Sequence, residues 1–124
     1  MAHTQLLVKA SGAVMLTDEV TEYVEQKLGK IFKLLSSDPT AHADVELCTT
    51  GGSRTGEEFR AEINLSFAGG FVRAEATCPT LHAAIDQAGD EARREVQKHV
   101  TKHRDLLRRG ATKVKDLFRY WRGS

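Results

Sequence analysis

Between Arg93 and Arg122 the chain sets eleven lysines and arginines (Arg93, Arg94, Lys98, Lys102, Arg104, Arg108, Arg109, Lys113, Lys115, Arg119 and Arg122) against three acids, Glu95, Asp105 and Asp116. That stretch carries +8, while the whole chain of 124 residues carries +1. The first 78 residues hold seven basic and eleven acidic side chains, a net of −4. Charge kept for solubility is interspersed. Charge gathered at one end of a small chain is the electrostatic footprint of a polyanion partner, and nucleic acid is the leading case. Spacing sharpens the reading. Arg94, Lys98, Lys102 and Arg109 form a ridge on one flank of a helix, with Arg93, Arg104 and Arg108 on its other polar flank. Upstream, Lys27, Lys30 and Lys33 recur every three residues and are expected along one flank of an earlier helix. Packed side by side, the two helices would border one groove with these flanks. Lysine and arginine there would contact phosphate oxygens regardless of base sequence. The ordinary alternative for a charge run is a solvated helix face. It weighs more on the three lysines than on the Arg93–Arg109 block.

Other chemistries find less support. His99 and His103 stand four apart and could share a metal, but neither an HExxH pattern nor paired-cysteine spacing accompanies them. They fall on an apolar stripe and are read as half-buried, with no metal site. Asp86 and Asp90 share a helix face, and Glu46, Glu62 and Glu75 fall on outward strand positions. No nucleophile elbow or dinucleotide fingerprint joins them. The run from Gly51 to Gly56 has the glycines of a phosphate loop without its lysine or its following helix. The expectation is a binding protein rather than an enzyme, with no cofactor and no small-molecule substrate.

The last fifteen residues are a separate case. Val114, Leu117, Phe118 and Trp121 recur at helical spacing among Lys113, Lys115, Arg119 and Arg122, the pattern of a short basic amphipathic helix. Such a tail could fold back on the domain. It could instead meet RNA through Phe118, Arg119, Tyr120 and Trp121, bind a protein partner, or rest on a membrane surface.

The elements that must position these residues follow from hydrophobic period. Residues 5–11 alternate as a short strand. Residues 18–35 switch to helical period, with Val20, Val24, Leu28, Ile31 and Leu35 on one stripe, Thr17 or Asp18 as N-cap, and Pro39 beyond the stop. Three alternating strands follow over 41–48, 59–67 and 72–78, joined by a flexible loop over 51–56 and a tight turn at Ala68-Gly69-Gly70. A last helix opens at Pro79-Thr80 and runs to about Leu107. It is longer than a small sheet can cover, so its C-terminal half should project. Gly89 inside it costs about 1 kcal/mol against alanine and implies a close approach by a neighbour. The order β-α-β-β-β-α predicts a two-layer α+β domain. Strands one and two run parallel, an antiparallel meander follows, and both helices pack on one face of a four-stranded mixed sheet. Residues 1–109 form the domain and 110–124 the tail. Hydrophobic residues make up 40% of the chain, enough for one core. No apolar run approaches the ~20 residues of a membrane span, and no signal peptide is visible. Cys48 and Cys78 are therefore expected as reduced thiols of a cytoplasmic protein.

Two stretches resemble a known family, the ribosome hibernation-promoting factors, also called ribosome-associated inhibitors or sigma-54 modulation proteins. One runs from Thr17 to Ile31 through Tyr23, Val24, Lys27, Leu28 and Lys30. The other is Ala74-Glu75-Ala76-Thr77, then Leu81-His82-Ala83-Ala84-Ile85-Asp86, Ala88, Asp90, Arg94 and Lys98. The second is the more specific, and together the similarity covers roughly residues 5 to 104. His82 and His99 depart from the aromatics more usual in the family, and Gly89 and Ala92 from bulkier apolar residues. A chain ending at Ser124 is similar to the short forms, which lack the second domain of the long ones. The resemblance implies a translation inhibitor bound to the small ribosomal subunit in the channel used by mRNA and tRNA. Its partner would be ribosomal RNA, gripped by Lys27, Lys30, Lys33, Arg93, Arg94, Lys98, Lys102, Arg104, Arg108 and Arg109, and it would preserve idle ribosomes in stationary phase or stress. The alternative is a stand-alone module for double-stranded or structured RNA.

Overall fold

Alternation of apolar and polar residues commits the middle of the chain to a sheet with one buried face. The computed structural model describes residues 5–36, 38–53 and 56–109, with residues 51–53, 56–57 and 105–109 by backbone alone. The elements are β1 (Leu6–Ala10), α1 (Asp18–Leu34), β2 (His42–Ser53), β3 (Gly56–Phe67), β4 (Gly70–Cys78) and α2 (Leu81–Arg109). The strands lie in the order β1-β2-β3-β4. β1 runs parallel to β2, with Leu6 opposite Ala43 and Ala10 opposite Leu47, and the other pairs are antiparallel. This is the α+β architecture that the pattern predicts. Residues 110–124 lie outside the described residues.

One face of the sheet buries Ala43, Val45, Leu47, Ala61, Ile63, Leu65, Val72 and Ala74. Against it α1 sets Val24, Leu28 and Ile31, and α2 sets Ile85, Ala88, Ala92 and Val96. Thr17 caps α1, its hydroxyl accepting from the Val20 N–H at 3.2 Å. Thr80 does the same for α2 through the Ala83 N–H at 3.2 Å. Each cap satisfies one of the helix's orphan donors.

Several boundaries differ from expectation. The loop expected over 51–56 is mostly strand, since β2 continues to Ser53 and β3 begins at Gly56, with a register shift between Thr50 and Ser53. Gly51 and Gly52 sit at that irregularity, where a side chain-free backbone tolerates the local twist of a bulge. The last helix runs two residues past the expected end, to Arg109.

α2 lies back along β4 and outruns it. From Leu81 to His99 a rise of about 1.5 Å per residue covers about 27 Å, close to the length of nine-residue β4 at ~3.3 Å per residue. His99 accordingly meets the start of β4, where a Cβ on Gly70 would stand 3.1 Å from its ring. The projection beyond the sheet is thus the last third of α2 rather than its half. Both cysteines are free. Cys48 pairs with Arg60 and Cys78 with Phe59, so β3 separates them and they occupy opposite faces.

Candidate nucleic-acid interface

The helix layer is built on a polar seam between α1 and α2. Tyr23 and Lys27, four apart on α1, face Asp86 and Asp90, four apart on α2. Lys27 Nζ lies 3.3 Å from Asp86 and 3.1 Å from Asp90, and the Tyr23 hydroxyl donates to the Asp86 carboxylate. The Tyr23 ring also packs on His82, with centroids 4.6 Å apart. The hydroxyl, donating to the carboxylate, holds Asp86 below the usual carboxylate range, and Lys27 adds to this against partial desolvation. The same hydrogen bond raises Tyr23. Partial burial works against the Lys27 charge, but the Asp90 and Asp86 carboxylates outweigh it and raise its pKa. The close approach expected at Gly89 is this seam. A Cβ there would meet the Lys27 stem at 3.4 Å.

Lys27 is therefore committed inside the protein, with 19% of its side chain exposed. Lys30 and Arg93 are the open cations beside it. With Lys27, Gly89 and Asp90 they line a cleft of about 300 Å³ between the helices. Lys33 lies elsewhere, in a cleft between α1 and β1 with Leu6, Val8 and Phe32. Three lysines at steps of three do not hold one flank. Each step falls about 60° short of a full turn, so Lys33 is about 120° round the helix from Lys27.

On α2, Arg94 lies about 100° round from Arg93 and, like Arg93, is exposed. Lys98 is exposed and reaches Glu95 at 3.3 Å, a pair weak in water. Lys102 and Arg104 are exposed on the projecting turns. Arg108 and Arg109 are described by backbone alone, and Phe118, Arg119, Tyr120 and Trp121 lie outside the described residues. The structure thus gathers Lys27, Lys30 and Arg93 at one cleft and distributes the other cations round α2. Lys30, Arg93, Arg94 and Arg104 have no ion pair among the described residues.

The open face of the sheet is different. Glu62 stands directly opposite Glu75 across β3 and β4, a like-charge pair that alone would destabilise the sheet. Arg60 pairs with Glu75 and Arg73 with Glu62, and Arg60 also lies 3.8 Å from Glu62. Glu62 is buried by these neighbours.

The sequence reading placed Asp86 and Asp90 on one helix face without finding their partners. The available signal was two i, i+4 pairs of complementary chemistry, Tyr23/Lys27 and Asp86/Asp90, on helices that must share one sheet face. Among the described residues, no three metal-ligating side chains converge, and no helix is long and apolar enough to cross a membrane.

Fold and surface together define a small α+β domain with unpaired cations along α2 and a sheet face whose two arginines are paired with glutamates. The chain belongs to the family described as sigma 54 modulation protein / S30EA ribosomal protein, which matches residues 10–104. It is 32% identical over 90 residues to a ribosome hibernation promotion factor of Deinococcus radiodurans, covering 73% of this chain and 46% of that protein. It is 30% identical over 87 residues to one of Staphylococcus aureus, covering 70% and 44%. The chain spans about half the length of the curated relatives it matches. Among solved structures, the Thermus thermophilus Protein Y N-terminal domain superposes with a TM-score of 0.63 at 31% identity, over 73% of this chain and 92% of that one. A ribosomal subunit interface protein from Coxiella burnetii shares the fold, with a TM-score of 0.58 at 13% identity over 76% and 94%.

Proposed function

We propose that this chain is a ribosome-binding hibernation factor of the cytoplasm. Its helix layer grips ribosomal RNA of the small subunit in the channel used by mRNA and tRNA, excluding both and keeping idle ribosomes intact. One observation carries the reading. Of the cations in no ion pair among the described residues, Lys30, Lys33, Arg93, Arg94 and Arg104 stand on the helices and Lys9 on the sheet, whose arginines Arg60 and Arg73 are both paired. Phosphate contact favours cations free to leave water, and paired arginines are already spent. The family, and the relatives named for ribosome hibernation, support the same reading and favour a binding factor over an enzyme. Lys27 then acts as a positioning residue that locks the helix pair, while Lys30, Arg93, Arg94 and Lys98 meet phosphate.

The test is co-sedimentation with vacant ribosomes through a sucrose gradient, with and without excess mRNA and initiator tRNA. The expected result is co-migration that those ligands relieve and that weakens steeply with salt, since every phosphate contact releases counterions. Folded protein that stays at the top of the gradient at moderate salt rejects the proposal. Equal binding to a short naked RNA duplex favours the stand-alone RNA module instead.

A further inference from the structure

On its outer flank, away from α2, α1 borders a groove over the edge of the sheet. Leu6 and Val8 of β1, Leu16 ahead of α1, and Gly29 and Phe32 of α1 wall about 620 Å³. β1 is an edge strand. Its inward-facing Leu6 and Val8 are only partly buried, whereas Val45 and Ile63 in the next two strands are 1% exposed. Of the four large apolar side chains exposed among the described residues, Leu7, Met15 and Leu16 lie at this edge. Apolar surface gathered at one free edge marks a contact surface. Gly29 is a separate observation. A glycine inside a helix weakens it against alanine, yet a Cβ here would meet nothing within 4 Å. Packing within the chain does not call for this glycine, but close approach of another helix backbone would. Glu25 and Lys33 stand four residues to either side of it and line the same groove. Both are exposed, and neither is in an ion pair among the described residues.

We propose that this flank is the contact surface for a second copy of the chain, with the two α1 helices packed antiparallel across a two-fold axis at Gly29. Charge complementarity selects that occupant. Glu25 and Lys33 each lie about 6 Å along the helix from Gly29, in opposite directions. A two-fold axis at Gly29 therefore sets Glu25 of each copy against Lys33 of the other, twice per dimer. The flank is acidic towards the start of α1, basic towards its end and open at the centre, so it complements its own reverse. The same operation brings Met15 and Leu16 of one copy towards the Leu6 and Phe32 end of the other copy's groove, covering the exposed apolar surface. An extended peptide would need only the apolar groove and gives no role to Gly29. Gly29 lies about 160° round α1 from Lys27. The dimer therefore faces away from the Lys30–Arg93 cleft and leaves the surface proposed for RNA open.

Sedimentation velocity of the full chain from about 1 to about 300 μM should show monomer passing to dimer. Glu25→Lys and Lys33→Glu each place like charges across the axis twice, and each should weaken dimerisation by about tenfold or more. Mixed in equal amounts, the two variants should dimerise again, because the basic flank of one then meets the acidic flank of the other. Gly29→Gln should abolish the dimer without lowering the Tm of the dilute monomer, since its side chain has room in a single copy. Far-UV circular dichroism checks that every variant is folded. A monomer throughout the concentration range would overturn the proposal. So would a dimer that survives both charge changes and Gly29→Gln, or a mixture that stays monomeric. Co-sedimentation of Gly29→Gln with vacant ribosomes at submicromolar protein should match the parent chain, so failure of this pairing and failure of the ribosome reading are told apart.

Discussion

The two faces of this domain each contain a four-membered polar network, and they differ in what is left over. On the sheet face, Arg60 and Arg73 separate Glu62 from Glu75, and the four charges cancel. At the helix seam, Lys27 is shared between Asp86 and Asp90, and Tyr23 donates to Asp86. That seam is locally acidic, yet Lys30 and Arg93 stand free at its rim and Arg94 beyond it. A net charge of +1 for the chain hides this division. The lesson is that a basic residue is worth counting toward a polyanion site only after its internal partners are subtracted. Lys27 has the right residue type and the right helix, but its charge is committed.

The sharpest way to break the comparison is charge reversal on each face. Arg93→Glu, Arg94→Glu and Lys98→Glu together should lower ribosome affinity by about 100-fold or more at moderate salt, given roughly 1–3 kcal/mol per charge-assisted contact. Lys9→Glu on the sheet side should change it little. Equal losses from both faces would end the assignment of the helix layer. The salt dependence is a second readout, since losing a phosphate contact should reduce the slope of log K against log salt by about one.

Stability sharpens the same contrast. Glu62 has 9% of its side chain exposed and holds two arginines, so Glu62→Ala should cost about 2 kcal/mol in urea unfolding. Lys27→Met keeps the stem packed on Gly89 and removes only the charge. Asp86 and Asp90 are about half exposed, so water takes over much of the loss and the cost should be about 1 kcal/mol. Ribosome affinity should hold in Lys27→Met. A fall as large as that of Arg93→Glu would show that Lys27 meets RNA after all.

Acid isolates the seam further. The folded pKa of Asp86 lies below its unfolded value. Its contribution is therefore complete above the unfolded carboxylate value of about 3.9, and it is lost as pH falls through the lower folded pKa. Asp86→Asn should flatten that part of the stability profile between about pH 5 and about pH 2, as read by denaturant midpoints. An unchanged slope would dismiss the Tyr23–Asp86–Lys27 coupling. Asp38 behaves in the same sense. Partial burial opposes its charge, but the Ala68 and Thr40 donors outweigh that and lower its pKa, so some acid sensitivity should persist.

The smallest effects test how closely the helices approach. A Cβ at Gly29 meets nothing within 4 Å, whereas one at Gly89 meets the Lys27 stem at 3.4 Å. Gly29→Ala should therefore stabilise α1 by close to the full helix-propensity gain of about 0.8–1 kcal/mol. Gly89→Ala should deliver less, because the lysine stem must adjust. Thermal melts of the two variants would expose an error if Gly89→Ala were the better.

Much of the architecture was legible in the order of residues. Val45, Leu47, Ile63 and Leu65 alternate with polar neighbours, Val24, Leu28 and Ile31 repeat with helical period, and Thr17 stands where a cap is needed. These are local rules, with periods of two and 3.6 residues that a one-dimensional pattern records fully. The loop over 51–56 is shorter than its glycines suggest, because glycine signals both a loop and a bulge and only the partner strand tells them apart.

By itself, then, the sequence determined the element order, the buried face of each strand and helix, and the gathering of positive charge at one end. Tertiary structure alone decided which of those charges remain available. Lys27 and Asp86 are 59 residues apart in the chain, and no period connects them. They meet because two helices are laid side by side on one sheet face, and that placement neutralises Lys27 while leaving Lys30 and Arg93 at the open rim. The physical reason is range. Hydrophobic period acts over a few residues, whereas an ion pair depends on distance in space, which folding sets and chain order does not record.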